Sequence, residues 1–592
     1  MKKLHLIFLL CFSVTVFAGA NIDQDVLNNL RTGKLKSATD SSTLSVLVFL
    51  YSNEKKKEFL EDIRHFPNTS FQDLGFMPAV AVTLPANLYD LNRIANHKAV
   101  AQISFNNPST QELDVSVQAI KLAPSSSYLD VNNWWAHGYT GKKGVLGLID
   151  DGVDPTHPDL ANKQLIVRTE NGSHYEDFIN GVRAPHGTGI ACIYGSNNEK
   201  YKGVAYELPT IITGLSGPEN SDAQSIMMTM STLDWMLERS EIKPTLINYS
   251  MGNGRVSCQG CPEWSGLARL IDYVVNEKKI LWVKSAGNGG YIEPTKNLHY
   301  ASTLTVPGDN YNALTVANMS LNVIENNSTM KTADRNQHII RSTSSRGPTP
   351  YGRRKPDLTA PGHDTRTCAP DVQIYRFNYI KDMDYRDGHR LMGGTSSAAP
   401  HVGGAALLLQ DAGIKNPMAI KALLINSADA WTDSGKSDHE KQAHFSVMGS
   451  EWNRTYGWGY INMQAAFEQR NDLIEDELTL KKPVLEYRTD LQVGEKVTLV
   501  HERRVGFSAD GAAWKLSHLS VEIIDRDTEE VIAKDDSPID TVHQVANCER
   551  LAGERNCSSS TKPIHALVRV KLLSSTIDGS DREPFALVLR TK

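Results

Sequence analysis
Thr43 to Tyr51 alternates apolar and polar positions, while Glu54 to Phe66 spaces its apolar residues at helical intervals among mixed charges. A strand followed by a helix is therefore predicted. Gln72 to Pro85 predicts two more strands, Asn87 to Asn96 a second helix and Ala99 to Phe105 a last strand. This order, strand-helix-strand-strand-helix-strand, is that of the ferredoxin-like split unit, a small α+β domain. Further along, Val145 to Ile149 and Ile280 to Val283 are continuous apolar runs, and Ala405-Ala406-Leu407-Leu408-Leu409 reads as buried helix. Strands alternating with helices predict an α/β sandwich with a mostly parallel sheet, whose site belongs at the C-terminal strand ends. From Leu478 the pattern changes to short β-type runs such as Val497-Thr498-Leu499-Val500 and Ala566-Leu567-Val568-Arg569-Val570, separated by polar loops. An all-β sandwich or jelly roll of about eight strands is predicted there.

A chain of 592 residues is too long for one core, and a net charge of −6 argues against nucleic acid as the main partner. Met1-Lys2-Lys3, an apolar stretch from Leu4 to Phe17 and Ala18-Gly19-Ala20 have the form of a secretory signal cleaved after Ala20. No later segment has the length of a membrane span, so a secreted or extracellular protein is expected, with periplasm or cell surface as further options. Of seven cysteines, Cys11 leaves with the signal, and the remainder suits an oxidising compartment. Cys258 and Cys261 read as a small disulfide loop or half of a zinc site, and Cys548 and Cys557 as a staple near the C-terminus. Cys192 reads as a buried free thiol, and Cys368 is left without a role.

Gly394-Thr395-Ser396-Ser397-Ala398-Ala399-Pro400-His401 leads into the apolar helix and sets a serine in its first turn, among unpaired N–H groups and small neighbours. Upstream, the first apolar run ends in Asp150-Asp151-Gly152 before His157-Pro158-Asp159-Leu160, and Pro185-His186-Gly187-Thr188-Gly189 opens another helix. Ser285-Ala286-Gly287-Asn288 ends the second run. Taken singly, each residue has a plainer reading: a helix cap, a turn aspartate, a structural histidine, a turn asparagine. Together and in this order they closely resemble the subtilisin-like serine proteases (subtilases), as do Asn248-Tyr249-Ser250-Met251-Gly252, Ser344-Ser345-Arg346-Gly347-Pro348 and Lys355 to Gly362. The resemblance covers roughly 350 residues.

That resemblance implies a catalytic Asp150, a general base His186, a nucleophile Ser396 and an oxyanion donor Asn288. Asp151 is an immediate rival to Asp150. It further implies an extended substrate against Ser250-Met251-Gly252, with its P1 side chain entering a pocket near Ala286-Gly287 and Thr305 at the floor. A neutral floor suggests a general or apolar-leaning endopeptidase acting on proteins or peptides. No cofactor is needed for the chemistry. Structural calcium is an option at Asp159 and Asn197, although Lys200 in the same loop opposes it. The expected organisation is a signal over 1–20, an inhibitor-type propeptide over 21–113 processed between Asn106 and Asp114, a catalytic domain over 114–472 and a β domain over 473–592. The propeptide would be an intramolecular inhibitor and folding aid. A narrow-specificity kexin-like processing protease and a secreted binding protein on an inactive protease scaffold are the competing readings.

Overall fold
Leu146 and Leu148 enter one apolar core while Ile149, on the opposite face of the same strand, enters another. A strand buried on both faces has to be apolar nearly throughout, which is the pattern Val145–Asp150 shows. It lies inside an eight-stranded sheet whose order along the main path is Ile339–Ile340, Leu314–Ser320, Leu281–Ser285, Leu246–Tyr249, Val145–Asp150, Thr210–Leu215 and Gln164–Val167. Leu358–His363 also pairs with Leu314–Ser320. All these pairings are parallel except that of Ile339–Ile340, so their C-terminal ends share one edge. Helices Pro185–Gly195, Thr395–Asp411 and Pro417–Ser427 contribute to the core on one face, and Gly266–Lys278 contributes to the core on the other. The α/β prediction is met by this mixed, mostly parallel sheet.

This computed structural model describes residues 21–22, 43–74, 78–85, 87–105, 115–125, 131–168, 185–216, 222–252, 254–257, 262–290, 302–325, 328–369, 388–431, 452–508, 511–549, 557–574 and 582–589. The expected signal, the processing segment from Asn106 to Asp114, and Cys258 with Cys261 lie outside them. The chain divides into two units, Met1–Glu112 and Leu113–Lys592.

Within the first unit, Thr43–Leu50, Asn53–Ile63, Ser70–Leu74, Ala79–Pro85, Leu88–Ala95 and Val100–Phe105 follow in the predicted order of strands and helices. The sheet runs Asn21–Ile22, Val100–Phe105, Thr43–Leu50, Ala79–Pro85, Ser70–Leu74, antiparallel except at the short first strand. Leu44, Val46 and Val48 alternate into its core with Phe59, Ile63, Leu91 and Ile94 from the two helices. Ser52 and Asn87 cap those helices through their side chains, which is why the helices begin where they do.

The C-terminal β region forms two four-stranded sheets and a hairpin, and its first strand begins at Leu473. Val497 and Leu499 point to the core between the sheets, whereas Val500 joins the large core of the α/β region, with Val542, Ala586 and Val588 from neighbouring strands. One sheet is thus buried on both faces. At the same junction Arg354 is buried against Asp535 and 3.3 Å from Asp540.

Cys548 and Cys557 are bridged as expected. Cys192 is not a free thiol: it is bonded to Cys368, 176 residues away, with Cα atoms 5.9 Å apart. Local spacing gives no sign of such a partner, because the sheet topology alone brings the helix after His186 to the strand Thr365–Cys368. Closing a loop of this length constrains the unfolded chain strongly. Replacing both Cys192 and Cys368 by alanine should lower stability by about 2–5 kcal/mol, read as a fall in denaturation midpoint with an m-value that rises as the unfolded chain expands.

Candidate active site
Asp150 ends its strand fully buried, and its Oδ1 lies 2.6 Å from His186 Nδ1. The same oxygen accepts the Asp151 N–H at 2.9 Å. A carboxylate accepts only, so His186 donates from Nδ1 and keeps a lone pair on Nε2. Asp151 has a different task. Its two oxygens accept the backbone N–H groups of His186 at 3.1 Å and Gly187 at 2.6 Å, capping the helix that carries the imidazole. The two rivals are thereby separated: Asp150 holds the ring and Asp151 holds the backbone beneath it. Gly187 permits the approach, since a Cβ there would stand 2.0 Å from the Gly152 carbonyl oxygen.

Burial pushes the Asp151 carboxyl up to about 7, assisted by the negative charge of Asp150 and opposed by His186 and the two N–H donors. For His186, burial works to lower the pKa, but the charge and hydrogen bond of Asp150 outweigh it and leave it raised. The imidazole therefore takes up a proton at higher pH than an isolated histidine does.

Ser396 is the second residue of its helix, and its Oγ donates to the Ser250 carbonyl at 3.0 Å. Ser250 Oγ in turn donates to the Ser396 carbonyl at 3.2 Å. The nucleophile candidate is thus tied to the segment expected to hold substrate. Gly394, at φ 96°, gives the chain the left-handed turn that starts this helix. Asn288 Oδ1 accepts from Thr395 N at 3.0 Å and from Thr395 Oγ1 at 3.1 Å. That fixes which end of the amide is oxygen and leaves Nδ2 as the donor end. Thr395, which also accepts Gly287 N–H at 3.1 Å, was not legible as a functional residue from the sequence. Its position directly before the serine was the available signal.

The segments holding Ser250, Met251, Gly252, Ala286 and Gly287 come together around Thr305. Thr305 N donates to Ala286 O at 3.0 Å, and the added Cβ of Gly252 or of Gly287 would lie 2.7 Å from Thr305 Oγ1. The calcium candidates separate. Asp159 is buried and receives Ser196 Oγ at 3.0 Å, Asn198 Nδ2 at 3.2 Å and His389 Nε2 at 2.9 Å. Burial alone would raise its pKa, but His389 and Asn198 hold it below the ordinary carboxylate range. Asn197 is exposed and contributes its backbone N–H, 3.1 Å from Asp159 O. These donors do not fit calcium, which takes oxygen ligands. Cys192 and Cys368 lie beside Asp159 and His157, but the disulfide consumes both sulfurs as ligands.

A family model described as the subtilase family (Peptidase S8) matches residues 141–459. Among curated proteins, serine protease AprX of Bacillus subtilis (strain 168) is 27% identical over 301 residues, covering 50% of this chain and 63% of AprX. Bacillopeptidase F of the same organism is 26% identical over 467 residues, covering 74% of this chain and 27% of its own length. This chain thus spans less than two thirds of either relative. Subtilisin E, also from Bacillus subtilis (strain 168), is 22% identical over 416 residues, 66% of this chain and 89% of that protein. Among solved structures, the prenylagaramide maturation protease PagA aligns at 19% identity and a TM-score of 0.39, over 57% of this chain and 96% of that one.

A fluorophosphonate reacts with a serine only when a neutral base takes its proton. Labelling of Ser396 should rise with pH along a limb whose midpoint lies above the ~6.5 of an unperturbed histidine. Asp150→Asn should slow labelling by orders of magnitude, whereas Asp151→Asn, which keeps one acceptor oxygen at the helix start, should slow it at most about tenfold.

Proposed function
The chain belongs to the subtilase family, and from that membership we propose that it is a secreted serine endopeptidase made as a self-processing zymogen. The observation that carries the reading is the convergence of Asp150, His186, Asn288 and Ser396 at the C-terminal edge of the parallel strands of one sheet.

In this reading Ser396 Oγ leaves the Ser250 carbonyl, gives its proton to His186 Nε2 and attacks the scissile carbonyl carbon. Asp150 stabilises the imidazolium that results and remains ionised throughout. The negative oxygen of the tetrahedral intermediate is received by Asn288 Nδ2 and the Ser396 N–H, donors already held in place by Thr395 and by the helix start. Collapse expels the amine, protonated by His186, and leaves an acyl-serine. Water, deprotonated by the same imidazole, then releases the acid product. No metal step is needed. Substrate would lie extended against the Ser250–Gly252 backbone, adding a strand to an existing edge.

The first unit supports a propeptide role. Its four longer strands, numbered in chain order, lie 4-1-3-2 and antiparallel, the arrangement of a ferredoxin-like domain, and it separates from the rest at Glu112. That boundary falls inside the segment expected to be processed. The Cys192–Cys368 and Cys548–Cys557 bridges favour an oxidising compartment, as the signal-like N-terminus does. No helix among the described residues is long and apolar enough to cross a membrane. The β region is read as a domain that stabilises the protease, because its inner sheet completes the protease core.

Wild type and Ser396→Ala, produced side by side, should differ in intact mass: the first loses its N-terminal unit near Asn106 to Asp114 and digests a peptide library, and the second does neither. Equal, unprocessed masses with no digestion would sink the proposal. In mature enzyme Asn288→Ala should cut kcat about 10²–10³-fold with KM little changed, the cost known for removing this kind of donor in subtilisin. A KM effect alone would remove Asn288 from the oxyanion site.

A further inference from the structure
Lys284 stands in the strand Leu281–Ser285, in register with Tyr249 and therefore level with the start of the Ser250–Gly252 segment. Its side chain is fully buried. The amine donates to Ser285 O, lies 3.0 Å from Ser285 Oγ and reaches Thr305 Oγ1 at 3.5 Å. All three are neutral oxygens. Among the described residues no carboxylate forms an ion pair with it; Asp309 acts on it only through space, its own oxygens being engaged by Ser265. A buried ammonium without a counter-ion is costly. Burial pushes Lys284 down to about 7, against the pull of Asp309.

The amine reaches the substrate slot through Thr305. Thr305 is partly exposed, and its Oγ1 lies 2.7 Å from the added Cβ position of both Gly252 and Gly287, so it stands between the two glycines as a wedge. A long P1 side chain would meet this wedge, and a short one would end beside the hydroxyl. That hydroxyl's own acceptor, Ala286 O, is 3.4 Å away, a bond long enough to be given up cheaply. None of Ser250, Met251, Gly252, Ala286, Gly287 and Thr305 is acidic.

Building on the endopeptidase reading above, we propose that Lys284 and Thr305 are specificity-determining residues that select a short anionic P1 side chain, aspartate, the carboxylate accepting from Thr305 Oγ1 whose other side faces the Lys284 ammonium. The substrate thereby supplies the counter-ion that the fold withholds. Thr305 alone is a neutral floor that suits apolar side chains; the amine behind it gives the floor a basic neighbour.

The test uses mature full-length enzyme at pH 7 and peptides identical except at P1, which carries Asp, Asn, Glu, Ala or Phe. In wild type kcat/KM should favour Asp over its isostere Asn by roughly tenfold or more, Asp over Glu, and Ala over Phe. Lys284→Met and Thr305→Val should each bring the Asp-to-Asn ratio towards one, and Thr305→Gly should raise cleavage after Phe. The ratio is internal to each variant, and a thermal melt checks folding; should Lys284→Met not fold, wild type and Thr305→Val decide. Cleavage after Asn, Ala or Phe with no preference for Asp overturns the specificity proposal and leaves the endopeptidase reading standing. Failure to cut every peptide, together with no fluorophosphonate label on Ser396, overturns both.

Discussion

Two adjacent carboxylates at one strand end set the terms for everything around them. Asp150 is fully buried and Asp151 beside it is partly so, and the charge of Asp150 adds to the cost of ionising Asp151. The pair becomes tolerable because the start of the helix Pro185–Gly195 is packed against it, offering two backbone N–H donors to Asp151 and an imidazole to Asp150. The helix in turn can come so close only because Gly187 has no side chain to strike Gly152. Strand end, glycine turn and helix start are therefore one electrostatic unit, and the position of the imidazole is a consequence of satisfying it. The Cys192–Cys368 bridge lies one to two turns further along the same helix and fixes its far side to a different strand.

The site was readable in the sequence where chemistry forces a rare residue into a local context. Asp150, His186, Asn288 and Ser396 each terminate a strand or open a helix, and apolar runs, glycines and small residues mark those boundaries in a single sequence. The alternation of the first unit was readable for the same reason, since period two needs no knowledge of the fold. What was hidden depends on topology. Cys192 reads as a free thiol in the sequence because its partner is 176 residues away. Asp151 could be distinguished from Asp150 only once it was seen which carboxylate met a ring and which met backbone. Thr395 and Lys284 act through hydrogen bonds to residues distant in the sequence, and no spacing rule anticipates them.

The C-terminal β region illustrates the same limit on a larger scale. Its strands were evident from their patterning, but alternation predicts one dry face and one wet face, and here the inner sheet has two dry ones. Val497 and Leu499 serve the sandwich while Val500 serves the protease core. Burial of Lys421, whose amine donates to Tyr311 O and Ala313 O, and of Arg354 against Asp535 adds polar fixings at the same junction. A surface shared in this way cannot be shed without uncovering helix Pro417–Ser427, which packs against it. The region is better described as a wall of the α/β region than as an appended module, even though the family match ends at residue 459.

Parallel strands explain why recognition and reaction share an edge. Each strand delivers its last residues to the same rim, and successive strands bring Asp150, Ser250 and Gly287-Asn288 there within a few residues of their ends. A residue one or two positions earlier points into the layer below that rim, out of water yet within reach of it. Lys284 occupies such a place. Charge positioned there is little screened by solvent, so it acts on whatever enters the slot more strongly than a surface lysine could. Specificity can therefore change through a layer that never touches the scissile bond, leaving the geometry of Asp150, His186 and Ser396 intact.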